Sequence, residues 1–582
     1  MTMKHAALLA CLLFLSACSA PAKPPAPPPV ADAATTRTIS GGTLVGFTDA
    51  ATGAQVWRAI PYAAPPVGAL RWRAPRPPQA WSGTRQAIAP APWCPQQLSA
   101  EDFVSPKRFG EVVGQEDCLY LNVYAPPMSA AQAAGAKLPV MMWIHGGSNT
   151  WGRAAQYDGG ALAARFHVVV VVIQYRLGAL GWFAHPAVRD GGTIPDDASP
   201  NFGTLDAIRA LEWIKTDIAP FGGDPSRVTI FGESAGGQNV DALLTSPRAK
   251  GLFQRAIAES GSTASVPLAK AEGLEGGDPD AGRAVAPRIV GAGKPVTGET
   301  LRAAPLQAIF DAYTNKKDYH PPRVIADGIV LPAGGSDTVL GDPAAYNAVP
   351  VIVGTNRDEM KLFNALNPQL VNFLFGRLPI IRDPKFYEAA SRYPSRMWRA
   401  RAVDRPAAMM TGGGHSAVWT YRFDWDEEGG LLGADLGKLL GAAHSVEIPF
   451  VFGYFKLLGP YDAVAFTKAN APGRLALSDA MMSYWARFAA TGDPGRGVDG
   501  RLPLWSAWSN TPGAPTQMVF ATPKGGGVRM WSDRESGPRI VADLLADPTL
   551  NPRQRCQILG RILPDHPELQ AAAAPARCYT AP

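Results

Sequence analysis

The chain has no run of five Lys or Arg residues, and its formal charge at pH 7 is only +6 over 582 residues. A nucleic-acid partner, which would need a basic stripe against its phosphates, is not expected. Charged residues are few, at 18%, but hydrophobic residues reach 46%, so the composition is that of a folded globular protein and not a disordered one. No Cys/His cluster has zinc-like spacing, so no metal site and no cofactor are expected. The apolar stretch 6–15 is too short to span a bilayer as a permanent helix. Beyond residue 39 there is no charged tail, internal repeat or second linker, and a single catalytic domain over 39–582 is the economical reading.

What is present begins with an address. Lys4 and His5 precede the apolar stretch, which ends in Leu15-Ser16-Ala17-Cys18, the pattern of a bacterial lipobox. Residues 1–17 are expected to be a signal peptide and Cys18 the lipid acceptor. Six prolines within 21–29 favour extended polyproline, so 18–38 reads as a semi-rigid spacer. Export follows, with a lipid anchor in the bacterial envelope (the outer membrane if there is one), or else periplasmic release or secretion. Cys94, Cys118, Cys556 and Cys578 are then an even set in an oxidising compartment. Three pairings are open. Local pairing would close loops of 24 and 22 residues, each bridge stabilising by about 3–3.5 kcal/mol in the chain-entropy model.

Short apolar runs alternate with helical patterns, which points to the α/β class: a mostly parallel central sheet, helices on both faces, and large helical or loop insertions over the active site. Strands are expected at 138–144, at 167–175 with its five consecutive valines, and at 227–231, 255–258 and 349–353. Leu205, Ile208, Leu211, Ile214 and Ile218 mark one face of a helix; Leu477, Met481, Tyr484, Trp485 and Phe488 mark another. The stretch 272–305 has weak periodicity and reads as irregular or helical cover.

The sharpest local signal is a β-branched strand running into Gly232-x-Ser234-x-Gly236, with a helix-compatible stretch behind it. A serine on such a strand-to-helix turn has its hydroxyl lifted out of the sheet, and the crowding admits only small residues two places to either side. The helix that follows aims its N-terminal amides at the reacting centre.

With that motif, the chain resembles the type-B carboxylesterases, the family of the cholinesterases and bacterial para-nitrobenzyl esterases. The likeness rests on Ile60-Pro-Tyr-Ala-Ala-Pro-Pro-Val-Gly68, Glu116-Asp-Cys-Leu-Tyr-Leu-Asn-Val-Tyr124, Trp143-Ile-His-Gly-Gly147, Phe231-Gly-Glu-Ser-Ala-Gly-Gly237 and His444-Ser-Val-Glu-Ile-Pro-Phe-Val-Phe-Gly453. It implies an α/β-hydrolase fold and hydrolysis of a small-molecule carboxylic ester through an acyl-enzyme. It also implies a triad in the order Ser234, Glu359, His444, with Glu359 in Gly354-Thr-Asn-Arg-Asp-Glu359. Asp358 is the rival acid and His145 the rival base. Oxyanion donors map to Gly147, Ser148 and Ala235, with Gly146 helping the loop turn. Glu233, Ser260 and Glu447 match positions close to the triad, and Cys94 and Cys118 match an early disulfide loop.

The departures are informative. Only 85 residues separate Glu359 from His444, which suggests trimmed cover over the site. Where the cholinesterases hold a quaternary ammonium with a tryptophan, this chain has Arg108, so choline esters are not the expected speciality. Ser148 and Asn149 replace a small residue and an aromatic. Asn149 is expected to make the acyl pocket wider and more polar. A non-catalytic adhesion protein of the same family, or an acyl transferase or amidase, are the alternatives to an esterase; the presence of all three triad residues disfavours the first.

Overall fold

The computed structural model describes residues 28–578, apart from 100, 101, 103, 316, 317, 320, 321, 375–377 and 432. The signal segment and Cys18 lie outside the described residues.

An eleven-stranded sheet organises the chain. Its strands are β1 (Phe47–Thr48), β2 (Gln55–Pro61), β3 (Tyr120–Ala125), β4 (Leu138–Ile144), β5 (Val169–Ile173), β6 (Gly223–Glu233), β7 (Arg255–Glu259), β8 (Val351–Asn356), β9 (Val418–Phe423), β10 (Gln517–Phe520) and β11 (Arg529–Trp531). Their spatial order is β1-β2-β3-β5-β4-β6-β7-β8-β9-β10-β11. From β5 through β10 neighbours run parallel; β1, β2, β3 and β11 pair antiparallel at the two edges.

The parallel core is covered on both faces, which is why its strands read as unbroken apolar runs. Alternate residues of β4 serve opposite layers. Val140, Met142 and Ile144 pack with helix α1 (Phe202–Asp217) and helix α2 (Ala235–Thr245). Met141 and Trp143 pack with the long helix α5 (Ala471–Thr491). Between β8 and β9 the chain forms the short helix α3 (Lys361–Ala365), a hairpin of Val371–Leu374 and Leu378–Ile381, and helix α4 (Pro384–Arg399). Asp383 caps α4, accepting from the amides of Lys385 and Phe386. After β11, helices α6 (Gly537–Ala546) and α7 (Pro552–Ile562) pack on α4 through a separate apolar cluster. Arg392 and Arg396 of α4 pair with Asp547, Glu535 and Asp543.

The two disulfides are the local ones, Cys94–Cys118 and Cys556–Cys578. The stretch 272–305 includes two short helices, Gly282–Val290 and Gly298–Arg302. Ordered structure begins earlier than residue 39. The indole of Trp57 donates to the carbonyl of buried Thr35 at 2.8 Å, and the Arg37 guanidinium bonds to Gln55 and to the Met128 carbonyl. Small polar residues whose backbone is tied down in this way carry no apolar pattern, so the sequence reads as spacer where the chain is already folded. Among the described residues no helix is long and apolar enough to cross a membrane.

Candidate active site

The C-terminal ends of β6, β8 and β9 lie along one edge of the parallel core, with β7 between β6 and β8, and each leads to one of the residues singled out by sequence. β6 ends at Glu233, and Ser234 follows with φ 59° and ψ −120°, a left-handed conformation in which a non-glycine residue is strained. Its amide donates to the carbonyl of Glu259 at the end of β7, and its own carbonyl accepts from Gln238 in α2. The eleven-residue α2 starts at Ala235, so its unpaired N-terminal amides and positive dipole end sit beside the serine.

Glu359 is three residues beyond β8 and wholly buried. One oxygen accepts from the Asn356 amide at 2.7 Å and from Ser260 Oγ at 2.5 Å; the other lies 2.6 Å from His444 Nδ1. The carboxylate is therefore held from two sides before it meets the imidazole. Asp358, the rival acid, is turned elsewhere: it pairs with Arg357 at 2.7 Å and accepts from the Ala442 amide. His145, the rival base, is buried with Nδ1 against the Gly146 carbonyl and its ring stacked on Tyr175. Burial pushes its pKa down to about 4, which suits a neutral packing residue.

On the other side of His444, Nε2 lies 3.2 Å from Oε1 of Glu233, which also accepts from Ser445 Oγ at 2.8 Å. Burial alone would lower the His444 pKa, but the charges of Glu233 and Glu359 outweigh it and hold the imidazole above its ordinary value. Glu233 is itself raised, chiefly by burial. Glu447 is raised well above the carboxylate range, first by burial and then by its carboxylate neighbours. It accepts from the Asn356 side chain and from Ser260 Oγ at 3.4 Å.

Facing the serine, the turn after β4 runs Gly147 (φ 96°), Ser148 (φ 54°), Asn149 (φ 59°), three left-handed residues in succession. Gly146 must lack a side chain, because a Cβ there would lie 2.8 Å from the Glu233 carbonyl and 3.2 Å from Ser234 Cβ. Among the described residues the amides of Gly147, Ser148 and Ala235 donate to no acceptor.

This arrangement sits in a matched frame. The Carboxylesterase family model aligns with residues 33–376 and 384–524. The chain belongs to the carboxylesterase family. It is 34% identical to the para-nitrobenzyl esterase of Bacillus subtilis (strain 168) over 487 residues, covering 78% of this chain and 90% of that protein. It is 35% identical to the Homo sapiens cocaine esterase over 500 residues, covering 80% and 83%. Among solved structures, a thermophilic para-nitrobenzyl esterase superposes with TM-score 0.66 at 30% identity, over 87% of this chain and 99% of that one. A Geobacillus stearothermophilus carboxylesterase does so with TM-score 0.64 at 31% identity, over 86% and 98%. The fold is the α/β-hydrolase fold and the protein is a carboxylic ester hydrolase.

Within this carboxylesterase, α6, α7 and the Cys556–Cys578 bridge lie beyond the matched region and brace α4. The brace matters because α4 carries Trp398, whose ring is 4.8 Å from the His444 imidazole. The first disulfide loop also reaches the site: Gln96 exchanges hydrogen bonds with the backbone of Gly152, just past the Gly147–Asn149 turn. Trp93 packs under Arg153, 3.8 Å from its guanidinium, and Arg108 pairs with Glu111 at the surface.

Sequence reasoning missed Glu259, Asn356 and Ser445. Glu259 pairs in register with Glu233 on the neighbouring strand; its side chain accepts from the Trp485 indole, and burial pushes its pKa up to about 8. The signal was there in the two adjacent strands, which both end in Glu.

Asn149 is engaged within the protein. Its side-chain oxygen accepts from Asn239 Nδ2 at 2.8 Å and from the Tyr175 hydroxyl at 3.2 Å, its carbonyl accepts from Gly178, and only 4% of the residue is exposed. In this position the side chain braces the strained turn against α2 and against Tyr175, just past β5. Asn149→Ala is accordingly expected to lower kcat/KM for an acetate, a benzoate and a hydroxy-acid ester by the same factor, on the order of tenfold, about the worth of one buried hydrogen bond. Unequal factors in that three-ester comparison would instead support a place for Asn149 in the acyl pocket.

Proposed function

We propose that Ser234, Glu359 and His444 are the catalytic triad, and that the exported, lipid-anchored protein cleaves small-molecule carboxylic esters through an acyl-Ser234 intermediate. The observation that carries this reading is the His444–Glu359 contact of 2.6 Å beside the strained turn at Ser234. His444 Nε2 takes the Ser234 proton as the oxygen attacks the ester carbonyl carbon. The amides of Gly147, Ser148 and Ala235 receive the oxyanion, Gly146 letting the loop come close; one such donor is worth roughly 3–4 kcal/mol. The tetrahedral species collapses, the C–O bond to the alcohol breaks, and the alcohol leaves with the proton from His444. Water then attacks the acyl-enzyme along the same path, releasing the acid and restoring Ser234. Glu359, steadied by Ser260 and the Asn356 amide, holds the imidazole tautomer and stabilises the imidazolium. Glu233 and Glu447 tune the charge around it.

The pH profile tests the Glu233 role. Only neutral His444 can accept the proton, so the acid limb of kcat/KM reports its pKa in the free enzyme. Glu233 favours the charged imidazole. Glu233→Gln removes that charge, lowers the His444 pKa, and is expected to move the acid limb to lower pH by about 1–3 pH units. An unmoved limb, whatever happens to the plateau, would remove Glu233 from the electrostatics of the base.

We read 1–17 as the signal peptide, Cys18 as the lipidated mature N-terminus and the proline-rich segment as the spacer to one catalytic domain. The motif and the four paired cysteines support that address. Palmitate labelling is expected to mark the wild type and not Cys18→Ala; equal labelling of both would sink the anchor.

A further inference from the structure

Thirteen consecutive residues on the outer side of the site, 362–374, include no Asp, Glu, Lys or Arg. A charge-free stretch is ordinary in a core strand and unusual in a surface insertion, where solvation favours polar groups. Phe363, Leu366, Phe373, Leu374 and Ile380 are 39–52% exposed, so five of the fourteen large apolar side chains exposed among the described residues fall within eighteen positions. Single exposed apolar groups need no explanation, but a cluster beside a reactive centre marks a binding surface.

The inner end of this strip is fixed to the catalytic machinery. The Phe363 ring lies 5.4 Å from the His444 imidazole and stacks at 6.2 Å on Trp398. The scaffold beneath is held firmly. Asn364 bonds to the Ala390 carbonyl and to Ser391 of α4, while Leu370 and Val371 are buried against Tyr387, Leu436 and Leu439. Outward, Leu366 follows one turn after Phe363, and the hairpin starts where the Val371 amide meets the Asn367 carbonyl. In the hairpin, Asn372 pairs with Ile380 and Phe373 with Pro379. Strand alternation puts Leu374 and Ile380 on one face and Phe373 on the other. A surface hairpin normally keeps one polar face; here the described pairs Phe373–Pro379 and Leu374–Leu378 are apolar on both faces.

We propose that Phe363, Leu366 and the hairpin face carrying Leu374 and Ile380 form a subsite for a long, flexible alkyl chain on the alcohol side of the ester, which makes lipid-like esters of long-chain alcohols a substrate class of the enzyme. The inference rests on the assignment of His444 as the group that protonates the leaving alcohol. The alcohol must therefore depart past the imidazole, beside Phe363 and Trp398. A short alkyl group ends at those rings, and only a longer one reaches Leu366 and the hairpin. Fully burying a methylene is worth about a factor of four in an equilibrium, so half-burying one on an exposed strip gives about twofold.

The test uses acetate esters of straight-chain alcohols from butanol to decanol, each kept below its solubility limit, with release of labelled acetate as the readout. Six added methylenes are expected to raise kcat/KM on the order of 50-fold from butyl to decyl acetate. In the double variant Leu374→Ser, Ile380→Ser, the decyl-to-butyl ratio is expected to fall at least tenfold. An unchanged ratio in the variant, a flat series in the wild type, or a gain confined to the acyl chain of p-nitrophenyl esters would each overturn the subsite. So would a gain that appears only above the solubility limit, which would mean docking on a lipid surface, or a change of oligomeric state in the variant, which would mean contact between two copies. Wild-type protein that hydrolyses butyl acetate without a chain-length gain defeats this inference alone. Failure on every ester would defeat the triad assignment as well.

Discussion

Ser234→Ala is expected to lower kcat/KM for a soluble ester by about 10⁴-fold or more while leaving the thermal transition in place. The size follows from the division of labour at the site. The oxyanion amides and the binding surface remain in the variant, so a residual rate above that in water survives, but no acyl-enzyme forms. The fold should tolerate the change because Ser234 contributes its backbone, not its hydroxyl, to the turn: its amide bonds to the Glu259 carbonyl and its carbonyl to Gln238. Alanine also suffers at φ 59°, but no more than serine does. His444→Ala should lose a similar factor, since the two act as a unit, and Glu359→Ala somewhat less. Steady-state kinetics of the three variants, with melting curves to show that each is folded, check the set. A folded Ser234→Ala protein with wild-type turnover would remove the serine from the reaction.

Gly236→Ala is expected to damage both the fold and the activity. A Cβ at Gly236 would run into the carbonyl of Ile144 and lie 2.9 Å from its carbon and 3.0 Å from the His145 carbonyl carbon. These are backbone atoms of β4 and the turn after it, so no side chain can rotate away. The first turn of α2 would have to move off the sheet, and with it Ala235 and Ser234. Overpacking a core costs about 1–3 kcal/mol where side chains can adjust. Here they cannot, so a loss of at least about 3 kcal/mol is expected, together with a hundredfold or greater loss of kcat/KM as the Ala235 amide leaves the oxyanion position. Chemical denaturation at fixed pH reads the first and kinetics the second. A variant within about 1 kcal/mol of wild type would show that the turn can relax.

Much of this was legible in the one-dimensional pattern, for identifiable reasons. Strand β4 was expected at 138–144 and is Leu138–Ile144, because a strand buried on both faces leaves an apolar run with sharp ends. Helices α1 and α5 announced themselves by apolar recurrence at three and four residues. The elbow around Ser234 was visible because glycines are forced there by backbone contact. What escaped was set by side-chain direction. Asn149 occupies a position where an aromatic was expected to wall the acyl site, but at φ 59° its amide turns toward Asn239 and Tyr175, and no motif records that. Glu259 and Ser445 were missed because each meets the site through a partner 26 or 212 residues away from it in sequence, namely Glu233. The brace of α6 and α7 on α4 joins an apolar cluster to arginine–carboxylate pairs around α6 spaced more than a hundred residues apart, which periodicity cannot reveal.

The most direct measurement is covalent. A fluorophosphonate reacts only with a serine made nucleophilic by its neighbours, and mass spectrometry of the digested protein locates the adduct. Stoichiometric labelling of Ser234, abolished in Ser234→Ala and in His444→Ala and accompanied by complete loss of ester hydrolysis, is the expected result. An adduct on another residue, or hydrolysis that continues after Ser234 is fully modified, would contradict the assignment of Ser234 as the nucleophile.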